Sequence, residues 1–134
     1  MMKTLQIIQN KVARTVARVD WTTPTKEVFL QCGWLSVNQL AMYHSVLLVY
    51  KVKANKQPRY LSNMYMGTYK YNTRMAHSGQ IKLEGRPKLE LTMSSFKWRA
   101  ARHFNQLPME LRNIGTLEIF KSKVKAWIRD NVEF

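Results

Sequence analysis

Apolar residues near the start of the chain recur at spacings of three and four. Leu5, Ile8, Val12, Val16 and Val19 therefore form one stripe of a helix running from Lys3 to Val19. Lys11, Arg14 and Arg18 keep the same spacing on roughly the opposite face, so the pattern predicts an amphipathic, cationic helix. Asp20-Trp21-Thr22-Thr23-Pro24 breaks it, and Pro24 suits the first turn of a short second helix, capped by Thr23 and ending near Gly33. Ser36 followed by Gln39 is a capping-box pattern. Behind it Val37, Leu40, Ala41, Met42, Tyr43, Val46, Leu47, Leu48, Val49 and Tyr50 are apolar almost all round, which predicts a buried central helix from Ser36 to Val52. His44 lies within it and reads as a satisfied or rim histidine, because no second ligand stands at metal-binding spacing.

The helical pattern stops at Lys51 to Pro58, and Arg59 to Met64 reads as a short helical turn. Tyr65 to Arg86 is rich in Tyr, Gly, Asn and Ser with Lys70, Arg74 and Lys82 interspersed, which predicts a loop ordered alone or by a partner. Ile81-Lys82-Leu83 and Lys88-Leu89-Glu90-Leu91 alternate across Gly85-Arg86-Pro87 and admit a short two-stranded ribbon. Ser94 or Ser95 caps a helix to about Gln106, with Phe96, Ala100, Phe104 and Leu107 inward and Trp98, Arg99 and Arg102 outward. Pro108 stops it, Met109 to Asn113 forms a brief turn, and Gly115-Thr116 restarts a last helix. There Leu117, Phe120, Val124, Trp127 and Ile128 face inward, while Lys121, Lys123, Lys125 and Arg129 stay outside. The expected fold is mainly α, one small domain that is helical over residues 1–57 and 94–134, with a loop or ribbon over 58–93.

Charge narrows the function. The chain has 22 Lys+Arg against 8 Asp+Glu, a formal net charge of +14, and 46% hydrophobic residues. That apolar content is enough for a core and unlike a disordered basic tail. The excess points to a polyanion, since each phosphate neutralised by Lys or Arg releases a condensed counterion. A single cysteine, Cys32, excludes an internal disulfide and a thiolate cluster, reads as a buried inert thiol, and fits a reducing compartment. The longest apolar stretch, around Ser45 to Tyr50, is far shorter than the roughly 20 residues a bilayer requires, so no transmembrane segment is expected. Phosphoryl-transfer chemistry needs clustered carboxylates, but Asp20 and Asp130 stand at opposite ends, the glutamates are scattered, and His44, His77 and His103 match no metal or triad spacing. No catalytic residue, metal, cofactor or small-molecule substrate is therefore expected, and the isolated chain reads as a binding protein.

Interleaved basic and aromatic residues can pair phosphates and stack on bases. Arg59-Tyr60 with Tyr65, Tyr69-Lys70-Tyr71 and Arg74 is one such stretch, and the helix face of Lys97, Trp98, Arg99 and Arg102 is the other. The same aromatics could instead anchor a thin core or dock a neighbouring domain. A third reading is cationic amphipathic membrane association through Lys3 to Val19 and Thr116 to Val132.

The stretch Ser95-Phe96-Lys97-Trp98-Arg99-Ala100-Ala101-Arg102-His103-Phe104-Asn105-Gln106-Leu107-Pro108, then Leu111-Arg112 and Thr116-Leu117-Glu118-Ile119-Phe120-Lys121, resembles the C-terminal, post-thumb end of LINE-type, non-long-terminal-repeat retrotransposon reverse transcriptases. Upstream pieces agree in order: Leu5 to Arg14, Thr23-Pro24-Thr25, Gly33 to Val37, Leu48 to Lys51, Pro58 to Leu61 and Tyr71 to Arg74. His103-Phe104 stands where the family has an apolar residue and Trp, and the palm motifs, catalytic aspartates and thumb that precede this region in such RNA-directed DNA polymerases are missing. The resemblance implies a piece of a mobile-element reading frame, starting internally at Met1 or Met2, or a domesticated or degenerate remnant. It further implies an intracellular, nuclear protein beside a template–primer path, contacting RNA or DNA and the polymerase core of a retroelement protein. Thr73-Arg74, Arg86, Arg99 and Arg112 are the polar positions of the shared pattern, although Arg112 would equally serve by pairing with Glu110 or a helix C-terminus. The nucleic-acid-binding candidates are Arg59, Lys70, Arg74, Arg86, Lys97, Trp98, Arg99 and Arg102, and the alternative is a protein-docking module without independent activity.

Overall fold

A computed structural model describes residues 2–55 and 96–132. Among these, six helices and no strand are present: α1 Met2–Ala17, α2 Thr25–Cys32, α3 Val37–Asn55, α4 Phe96–Gln106, α5 Met109–Arg112 and α6 Leu117–Asn131. The mainly α reading therefore holds, while the ribbon over Ile81 to Leu91 and the turn at Arg59 to Met64 lie outside the described residues. The chain divides into two compact units, Met1–Ala41 with Ala126–Phe134, and Met42–Lys125.

In the first unit α1 lies against α2 over a small core of Ala13, Val28 and Phe29, joined by Ala17, Val19, Cys32 and Trp34. Four residues of the apolar stripe, Leu5, Ile8, Val12 and Val16, are 47%, 54%, 47% and 57% exposed, while Val19, beyond the end of the helix, packs on the core. The helix is turned so that Gln6, Gln9 and Ala13 meet the protein instead. The reason is polar. Gln9 Nε2 donates to the Leu35 carbonyl at 2.9 Å, and Gln6 Oε1 accepts the Val37 N–H at 2.8 Å, one of the donors that the start of α3 leaves without an intrahelical partner. Arg14, on the basic face opposite the apolar stripe, donates to the Thr23 carbonyl and Thr25 Oγ1 at 3.2 and 3.0 Å. Arg18 ends the helix in the left-handed region at φ 54°, a conformation that costs a non-glycine residue roughly 1 kcal/mol.

Thr23 does not cap α2. Pro24 occupies the cap position, with extended ψ 133° and no side-chain bond, because the first helical bond runs from the Val28 N–H to the Pro24 carbonyl, one residue later than read. The helix closes on Gly33 at φ 68°, whose N–H donates to the Leu30 carbonyl while Trp34 N–H donates to Phe29, so two terminal carbonyls are satisfied at a position that favours glycine. Cys32, half-buried, donates its thiol to the Ala13 carbonyl at 3.8 Å.

The capping box is formed as read. Ser36 N–H donates to Gln39 Oε1 at 3.0 Å and Gln39 N–H to Ser36 Oγ at 3.3 Å, with both residues buried. Gln39 Nε2 also donates to the Val132 carbonyl at 3.0 Å, which ties the cap to the end of α6 within the same unit. In the second unit α3 buries Met42, Val46, Leu47, Val49, Tyr50 and Val52, as its near-continuous apolar sequence predicts, and His44 sits exposed at the rim with its ring edge-on to Tyr43. Ala100, Ala101, Phe104 and Leu107 of α4, and Phe120 and Val124 of α6, are likewise buried. Tyr50 and Phe120 stack with centroids 4.0 Å apart and 17° between planes, and Tyr50 OH donates to the Ile114 carbonyl at 2.7 Å.

Candidate nucleic-acid interface

Burial of Ala100, Ala101, Phe104 and Leu107 fixes the rotation of α4, since residues at these spacings share one side of a helix. The opposite side must then carry Arg99, Arg102 and Gln106, and all three are exposed. Arg99, Arg102, His103 and Gln106 together line a cleft of about 210 Å³. His103 is only half-exposed, and its Nδ1 is buried with no hydrogen-bond partner. Burial first, then the charges of Arg99 and Arg102, push its pKa below the usual histidine value. Burial, reinforced by the two guanidiniums, therefore favours the neutral imidazole.

Of the candidates read from the sequence, Arg99 and Arg102 stand together on this cleft. Trp98 belongs to the same helix but is half-buried, so it is less available for stacking than an outer-face residue was expected to be. The side chain of Lys97, and Arg59, Lys70, Arg74 and Arg86 entirely, lie outside what is described. His103 and Gln106 were not singled out as binding residues, although their positions four and seven after Arg99 place them on its face. Arg112 belongs to structure instead: it is buried, donates from one guanidinium nitrogen to the carbonyls of Asn105 and Leu107, and so closes the C-terminus of α4. Arg129 is not on an outer face either, for it is half-buried and donates to the Gly33 carbonyl at 3.2 Å.

Among the described residues no group of three or more His, Cys, Asp or Glu is placed to hold a metal ion, and no helix is long and apolar enough to cross a membrane. Compared with family models, with curated proteins and with solved structures, the chain finds no match.

The His103 environment makes a testable statement about pH. Because its folded pKa lies below the unfolded value of about 6.5, the unfolded chain binds more protons in that interval. Its contribution to stability is full above about pH 6.5 and is lost as pH falls toward the folded pKa. Urea denaturation at pH 7.5 and 5.0 should show a smaller loss on acidification for His103→Gln than for wild type. Equal losses would mean that the histidine is not held neutral by its surroundings.

Proposed function

We propose that this chain is a non-catalytic nucleic-acid-binding region of the kind found after the thumb in LINE-type reverse transcriptases, acting in the nucleus on template RNA or target DNA. The α4 cleft carries this reading: two exposed arginines one turn apart flank a neutral imidazole whose Nδ1 is unpartnered, on a chain of net charge +14. Two guanidiniums at that spacing suit two oxygens of a phosphate backbone, and the surrounding charge raises the rate and strength of encounter without sequence preference. Titration of the full chain on single-stranded RNA and duplex DNA at two salt concentrations tests it. Binding should weaken with salt, and Arg99→Gln with Arg102→Gln should flatten the logarithmic salt slope on single strands by roughly 1.4, about 0.7 for each phosphate no longer neutralised. Absence of binding at low salt, or an unchanged slope in the double variant, would sink the assignment.

One observation favours a second reading, a docking module. The α1 face of Leu5, Ile8, Val12 and Val16 presents a continuous apolar stripe to solvent, which is the feature that distinguishes an interaction surface from scattered exposed residues. Leu5→Lys with Val12→Lys should leave stability within about 0.5 kcal/mol, because neither side chain is in the core. If the same change abolishes association with a retroelement polymerase core, docking is the role of α1.

A further inference from the structure

A second cleft, of about 320 Å³, lies wholly within the first unit, and its wall differs in kind from the α4 face. Phe29, Leu30 and Trp34 supply its apolar lining, and Lys26, Arg129 and Asp130 supply its charge. Phe29 and Trp34 meet edge to face, centroids 6.4 Å apart and planes at 79°, so the buried Phe29 ring holds the half-buried indole in place. Arg129 spends one Nη–H on the Gly33 carbonyl, but its Nε is buried and has no hydrogen-bond partner. A buried guanidinium N–H without an acceptor is costly, and the acceptors that suit its fork are carboxylate and phosphate oxygens. Asp130 lines the cleft without taking that bond.

Two cations against one carboxylate leave the cleft with a net positive charge, which favours a phosphate group. The volume lies at the lower end of the range of roughly 300–1,000 Å³ in which small ligands bind, enough for one planar ring and its phosphate. We propose that this cleft takes one nucleotide unit, its base against the Trp34 and Leu30 surface and its phosphate on Arg129 and Lys26, either free or within a single strand. The site is separate from the α4 cleft and does not depend on it.

The full chain titrated with adenosine 5′-monophosphate, adenosine and inorganic phosphate, followed by NMR at the Trp34 indole, tests the proposal. The monophosphate should shift Trp34 saturably and bind more tightly than either adenosine or phosphate. Arg129→Gln should weaken it about tenfold, the effect of removing one charge-assisted hydrogen bond, and leave adenosine unchanged. Lys26→Gln, at an exposed position that does not endanger folding, should weaken it about threefold, as an exposed charge pair does. Arg99→Gln with Arg102→Gln should not alter it, so failure here and failure of the α4 reading are distinguishable. A short single-stranded oligonucleotide that displaces the monophosphate from Trp34 identifies a strand site, whereas saturable monophosphate binding without such displacement identifies a free nucleotide. No saturable shift at Trp34, equal binding of phosphate and monophosphate, or wild-type affinity in Lys26→Gln would overturn the proposal, and the last two hold even if Arg129→Gln fails to fold.

Discussion

Phe120→Ala should lower the stability of the second unit by about 3–5 kcal/mol, the usual cost of emptying a buried phenyl site. The ring is fully buried, and one face is covered by Tyr50 in a near-parallel stack at 4.0 Å. Truncation therefore removes both transfer energy and a ring pairing worth about 0.5–1.5 kcal/mol. Collapse of the void is resisted because Tyr50 is tethered by its hydroxyl to the Ile114 carbonyl, so the aromatic cannot slide into the space without breaking that bond. Phe120→Leu keeps most of the volume and should cost about 1–1.5 kcal/mol. Urea midpoints followed by circular dichroism should rank the two in that order. A melting temperature for Phe120→Ala within a degree of wild type, rather than roughly 10–20 °C below it, would show that this packing is absent in solution.

Arg112→Ala is expected to cost about 2–4 kcal/mol, more than any exposed arginine of the chain. Its guanidinium is buried and donates to two carbonyls at the end of α4, Asn105 and Leu107, that no intrahelical N–H can reach. Removing it leaves those acceptors unsatisfied and takes away a positive charge from the negative end of the helix dipole. Arg112→Lys retains the charge but not the planar fork, so it should recover less than about half of the loss. Burial pulls the Arg112 pKa down from its ordinary value, yet that value starts far above neutrality and the group stays charged. The contrast with Arg99→Gln is the informative one. That change should leave stability within about 0.5 kcal/mol and alter binding alone, because Arg99 is exposed. Equal destabilisation by Arg112→Ala and Arg99→Gln in urea would contradict the division between a structural and a binding arginine.

Both arginines belong to the same sequence pattern, and the sequence left Arg112 open between a phosphate contact and a helix terminus. The structure decides for the helix terminus, because α5 brings residue 112 back beside the end of α4. The inner positions of α4 and α6 were legible for a simple reason: Ala100, Phe104, Leu107, Phe120, Val124 and Ile128 are apolar at helical spacing, and all are buried. Ala101 was missed because a second small apolar residue widens the buried face without changing its period. On the candidate face, the grouping of Arg99 with Arg102 followed from periodicity alone. His103 was weighed only against metal and triad spacing, and its place beside two guanidiniums depends on how far the helix is turned into the core.

The amino-acid sequence by itself determined that this is a helical, strongly cationic chain, where α3 begins and α4 ends, and most of the inward residues of α4 and α6. Those features depend on local hydrogen bonding and on a periodicity that one helix carries alone. Tertiary structure decided the rest. On α1 an apolar stripe and a Gln-Ala face compete for the interior, and the Gln-Ala face is inside because Gln6 and Gln9 satisfy the Val37 N–H and the Leu35 carbonyl, partners about thirty positions away that no local pattern encodes. In the same way Arg129, placed by its spacing on an outer face, acquires a role from Gly33, and with Phe29 and Trp34 it lines a cleft whose walls come from opposite ends of the chain. Periodicity reports which residues share a face; on α1 the hydrogen-bonding needs of distant backbone groups decide which face is turned inward.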